Sequence, residues 1–169
     1  MKLLYAPWRQ DYIQKNIPQP TEPLKNNCVF CHQFEQNNDD RYFILRRFEH
    51  AALALNYYPY NAGHVMVLPL EHKGTLQELS KHVRAELMEI TNQTIPILEK
   101  TLHAEGFNVG INIGQAGGGG IPSHLHIHIL PRWKSDTNFL DALSGNRVIS
   151  VDLEKTYKIL KNEVLKICI

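Results

Sequence analysis

The sequence lacks any long apolar run. No stretch approaches the roughly 18 consecutive apolar residues of a membrane-spanning helix. The residues after Met1-Lys2 carry no apolar core of a secretory leader, so a cytoplasmic protein without a membrane partner is expected. Excess charge of either sign is also missing. There are 18 basic against 17 acidic residues, a net charge of +1, and no long single-sign tract. That balance argues against a surface for coating nucleic acid and leaves room only for a local phosphate site. Cysteine is scarce at three residues, too few for a disulfide framework. Two of the three stand as Cys28-Val29-Phe30-Cys31, a spacing that points to metal binding in a reducing compartment more than to a bridge.

What is present is histidine in a pattern. His124-Leu125-His126-Ile127-His128-Ile129-Leu130-Pro131 alternates imidazole with aliphatic residues, the period of a β-strand. Leu125, Ile127 and Ile129 are expected to enter the core, and His124, His126 and His128 to share the opposite face. Upstream lies Gly114–Gly120, rich in glycine. Its backbone N–H groups, with those around Asn112, Gly118, Gly119 and Gly120, would form a cradle for an anion if the loop is not merely a flexible surface turn.

The 169 residues suit one α+β domain. Residues 1–27 hold Tyr5, Trp8 and Tyr12 among four prolines and read as an extended arm ahead of a domain over 28–169. Strands are predicted over 42–46, 51–55, 64–68, 107–113 and 125–130. Gly63 should supply a backbone conformation that other residues avoid. Apolar residues from Leu76 to Leu102 recur at three- and four-residue steps, predicting a long helix kinked or opened at Pro96 and stopped by Gly106. Leu153, Tyr157, Leu160, Val164 and Ile167 predict a C-terminal helix.

The chemistry follows from residue type. Zinc prefers four Cys or His ligands, so Cys28 and Cys31 need two histidines; if His72 and His124 reach them, the site is closed to substrate. Otherwise the cysteines are a half-buried pair. A neutral imidazole beside a bound phosphate can attack phosphorus, and neighbouring histidines can donate to its oxygens or protonate the leaving group.

The triad resembles the signature of the histidine-triad (HIT) superfamily of nucleotidyl hydrolases and transferases. Leu55-Asn56-Tyr57-Tyr58-Pro59-Tyr60-Asn61-Ala62-Gly63-His64 is similar to that superfamily's ribose-binding loop and following strand, and Cys28-Val29-Phe30-Cys31 and Glu71-His72-Lys73 to the zinc positions of bacterial members. Residues 107–114, Pro131-Arg132-Trp133, Leu4-Tyr5-Ala6-Pro7-Trp8-Arg9 and Asn138-Phe139 resemble the diadenosine tetraphosphate phosphorylase branch.

The resemblance implies His126 as nucleophile, with His128 and His64 assisting at the α-phosphate. It implies a structural zinc on Cys28, Cys31, His72 and His124, with magnesium arriving on the polyphosphate. Asn56 would bind ribose, Leu53 and Leu55 would line the base pocket, and Asn112, Gly118, Gly119 and Gly120 would hold phosphates, with Trp133 also at the substrate. Gly120 departs from the serine of similar proteins, leaving Ser123 or backbone N–H groups as the donor to the leaving phosphate. The implied fold is a five-stranded antiparallel sheet with a long helix and a C-terminal helix, dimerising into a larger sheet. The expected reaction is phosphorolysis of a dinucleoside polyphosphate, diadenosine tetraphosphate, by inorganic phosphate to ADP and ATP, the alternative being hydrolysis by water of a dinucleoside polyphosphate or a nucleoside phosphoramidate. Two other readings are a catalytic metal held by the three triad histidines and a nucleotide sensor without turnover.

Overall fold

The computed structural model describes residues 27–134, 136 and 152–169. The expected N-terminal arm, apart from Asn27, and the Asn138-Phe139 segment lie outside them. Five strands form one antiparallel sheet: β1 (Ile44–Arg47), β2 (Ala51–Leu55), β3 (Val65–Pro69), β4 (Gly106–Ile111) and β5 (Ile127–Arg132), in the order β1-β2-β3-β5-β4. The helices are α1 (Val29–Glu35), α2 (Lys81–Leu102) and α3 (Leu153–Glu163). The fold is thus the expected α+β sheet with a long helix and a C-terminal helix.

Strand alternation divides the molecule into two layers. Leu53, Leu55, Val65, Val67, Leu125, Ile127 and Ile129 pack against Val83, Leu87, Ile90 and Leu98 of α2 and against Tyr157 and Leu160 of α3. The opposite face carries Ala52, Ala54, Met66 and Leu68 under Phe30 and Cys31 of α1. Register places Ala54 beside Met66, Met66 beside His128, and His128 beside Gly110. Two small residues in that row, Ala54 and Gly110, keep the second face from filling with aliphatic bulk.

Several boundaries differ from expectation. Residues 76–78 form a separate 3-10 turn, and α2 begins only after Ser80, whose hydroxyl accepts the Val83 N–H at 3.2 Å. This N-cap satisfies a donor that the periodicity of Leu76 and Leu79 could not reveal. Gly106 does not stop the helix. His103 does, in the left-handed region at φ 52°, and Gly106 opens β4. Helix α2 runs through Pro96 without ending. Gly63 has φ 66°, and a side chain there would run into Leu102. The seven-residue α1 is too short for a periodicity reading and was not anticipated.

Candidate active site and metal centre

The triad histidines are buried, His124 fully and His126 and His128 at 6% and 7% exposure. The regular strand begins at Ile127, yet the alternation holds from His124: the aliphatic partners lie in the α2 layer and the imidazoles on the α1 side.

His124 faces the cysteines. Its Nε2 lies 2.9 Å from the Pro69 carbonyl, which can only accept, so Nε2 carries the proton. Nδ1 therefore keeps its lone pair, 3.4 Å from Cys28 Sγ and 3.6 Å from Cys31 Sγ. His72 Nδ1 is 3.2 Å from Cys31 Sγ, and all four donor atoms lie within 4.8 Å of one another. Tetrahedral zinc with ordinary Zn–S and Zn–N bonds would separate sulfur from nitrogen by about 3.5 Å. The donor set, its spacing and the carbonyl that orients His124 fit zinc. A second group among the described residues, Glu49, His50 and His82, is solvent-facing, with His82 in the first turn of α2, where the helix dipole opposes a cation. Neither group is the all-oxygen set magnesium prefers.

His126 Nδ1 lies 2.9 Å from the His124 carbonyl. By the same logic Nδ1 is protonated and Nε2 holds the lone pair. The ring packs against Phe30 of α1 (5.5 Å between centroids) and against His128 (4.7 Å).

His64 and His128 form a directed pair. The Tyr60 N–H donates to His64 Nδ1 at 3.1 Å, and the Asn56 amide lies 3.3 Å from the same atom. His64 therefore carries its proton on Nε2 and donates it to His128 Nδ1 at 2.9 Å. That leaves His128 protonated on Nε2, a buried N–H with no partner among the described residues. Burial lowers the His64 pKa from 6.5 to about 3, with His128 and His126 acting in the same direction. Burial, then His126, lowers His128 to about 4. Both rings are neutral at neutral pH, which is what the single shared hydrogen bond requires.

A cavity of about 500 Å³ opens over His126 and His128. Of the substrate residues expected from sequence, Leu55, Asn56, Gly120, His126 and His128 line it. Leu53 does not. It is fully buried in the core cluster that packs on α2, while Ala54 and, at the end of the strand, Leu55 reach the cavity. Trp133 is also elsewhere, its indole N–H donating to the His103 carbonyl at 2.8 Å. The glycine loop is only partly available, because Gly118 N–H donates to the Gln115 carbonyl and Gly119 N–H to the Gly114 carbonyl. Neither Gly118, Gly119 nor Asn112 lines the cavity. Residues the sequence reading missed include Phe30, Gln33, Phe34 and Ile121. The first three come from α1, and the apolar Val29, Phe30 and Phe34 beside Cys28 and Cys31 were the one available signal.

A family model described as the HIT domain matches residues 37–135. An AP-4-A phosphorylase of Mycobacterium tuberculosis is 32% identical over 96% of this chain and 84% of its own length. An asymmetrical bis(5'-nucleosyl)-tetraphosphatase of Schizosaccharomyces pombe is 30% identical over 66% of this chain and 58% of its own length. A zinc-bound histidine triad family protein from Mycobacterium smegmatis superposes with a TM-score of 0.68 at 25% identity, over 83% of this chain and 95% of that one. The matched family model spans the strands, the long helix and the triad from which the site is built, and the chain belongs to the HIT domain family.

Proposed function

We propose that this chain cleaves dinucleoside polyphosphates, diadenosine tetraphosphate first among them, by nucleotidyl transfer to His126 and then to inorganic phosphate. One observation carries the reading. The His124 carbonyl fixes the proton of His126 on Nδ1, so Nε2 is free to attack, while His128, whose buried Nε2–H has no partner among the described residues, packs against His126 and lines the same cavity.

In the first step Nε2 of His126 bonds to the α-phosphorus and the bond to the bridging oxygen breaks, releasing ATP. His128 Nε2–H donates to a phosphoryl or leaving oxygen, and His64 holds His128 in the tautomer that can do so. Phosphate oxygen then attacks the nucleotidyl-histidine, giving ADP and restoring the imidazole. Asn56 uses one N–H on His64 and one lone pair on the Tyr58 N–H, which leaves one of each for ribose hydroxyls. Zinc on Cys28, Cys31, His72 and His124 would be structural, because four protein ligands leave no position for substrate. The relatives named as a phosphorylase and a tetraphosphatase support a dinucleoside polyphosphate substrate.

A second reading, hydrolysis by water, is favoured by the internal use of the Gly118 and Gly119 N–H groups and by the missing hydroxyl at Gly120, which together weaken a site for free phosphate. Diadenosine tetraphosphate incubated with labelled phosphate separates the two. Labelled ADP is the expected product. Unlabelled AMP with ATP, at a rate indifferent to phosphate, would make the chain a hydrolase.

A further inference from the structure

The cavity lining is chemically mixed. His126, His128 and Gly120 offer it polar groups, while Val29, Phe30, Phe34, Leu55 and Met66 give it apolar wall, with Phe30 and Met66 adjoining the histidines. A nucleotide whose phosphate meets the histidines leaves its base among the apolar residues.

Helix α1 builds that wall. Val29, Phe30, Gln33 and Phe34 follow the spacing of one helical face, and all four line the cavity. Phe30 is wedged on the rings of His124 and His126, and Cys31 Sγ contacts His72, so the helix is anchored on the side where it meets the triad. Gln33 is half-buried, and its amide makes no hydrogen bond to any described residue. It is a neutral donor–acceptor pair set into an apolar wall with its capacity unspent.

We propose that Gln33 is the residue that reads the base, and that it selects adenine; this rests on the reading of the cavity as a nucleotide site. An amide offers a carbonyl and an N–H side by side. Adenine presents the complement, an exocyclic amino group next to an acceptor ring nitrogen, the pairing that Gln and Asn use for adenine elsewhere. Guanine can meet a rotated amide through O6 and N1–H. Its 2-amino group would then face apolar side chains with no acceptor, which disfavours it. A carboxylate in place of the amide reverses this logic. It can only accept, and guanine alone offers two adjacent donors, N1–H and the 2-amino group.

Calorimetric titration of the zinc-loaded full chain with AMP, GMP and purine riboside 5'-monophosphate, which lacks the 6-amino group, tests this. The wild type should bind AMP about tenfold or more tighter than either analogue, the discrimination of one good bidentate pair. Gln33→Ala and the near-isosteric Gln33→Met should bring AMP and the purine analogue within about twofold of each other. Gln33→Glu should shift the preference to GMP. Zinc content and melting temperature should match the wild type in each variant, and the Ala and Met variants decide if the Glu variant does not fold. Unchanged ratios with AMP still bound would overturn the role of Gln33 alone. No AMP binding by the folded, zinc-loaded wild type would overturn the nucleotide-site reading and this inference together.

Discussion

At His126 the proton sits on the nitrogen facing the His124 carbonyl, and the other nitrogen keeps its lone pair. No other described group supplies a comparable nucleophile beside the unpartnered His128 N–H. His126→Ala should therefore lower turnover by at least about a thousandfold, since the covalent step disappears. Zinc content and melting temperature should stay near wild type, because His126 contributes no atom to the four-donor group. Single-turnover kinetics on the purified variant checks this, and retention of more than a few per cent of activity would remove His126 from its role. His128→Asn should be milder, about a hundredfold or more, as expected for a lost proton donor.

Among the elements, α1 and β2 decide the cavity. Helix α1 has seven residues, below the length at which a helix holds itself in water, so its place depends on tertiary ties. Those ties run through Cys28 and Cys31 to histidines far along the chain. Cys28→Ser or His72→Ala should lose zinc and lower the melting temperature by roughly 10 °C or more, as removal of a structural zinc does. Turnover per folded molecule should fall less than in His126→Ala. A zinc-free variant with an unchanged melting point would count against a structural metal. In β2 the small Ala54 keeps the cavity floor low. Ala54→Leu should occupy that space and weaken AMP binding about tenfold or more, with the fold intact because the added methyl groups enter a void. Titration with AMP, alongside thermal unfolding, measures both effects.

For the whole molecule, burying neutral imidazoles ties stability to pH. His64 and His128 have folded-state pKa values of about 3 and about 4, against 6.5 when unfolded. Between those values the unfolded chain binds protons that the folded chain refuses. Stability is therefore full above about pH 6.5, falls as pH drops toward 4, and levels off below the folded pKa. Thermal unfolding across pH 7 to 4 should show this decline, and His64→Asn should flatten it. A slope identical to wild type would mean that other groups dominate. Among the described residues β4 is one edge of the sheet, with Val109 45% exposed, and pairing of this edge with a second copy is the expected route to a dimer. Sedimentation equilibrium should give twice the mass of one chain.

How much was legible beforehand depends on the distance over which each feature is decided. Alternation at 124–130 is local, so it alone determined which residues enter the core and which face the site. The three- and four-residue steps of α2 are local in the same sense, and so is the Cys28–Cys31 spacing. Other features depend on chain closure. The phase of β2 placed Leu53 in the core and Ala54 under the cavity, a choice that five consecutive apolar residues cannot display. Trp133 was drawn to the carbonyl end of α2, where the indole N–H found an acceptor. The glycine loop spent two N–H groups on its own turns. The protonated nitrogens of His124 and His128 were set by Pro69 and His64, which only tertiary structure brings within 3 Å or so, because a strand's period fixes the direction of a side chain and not the distant partner it meets.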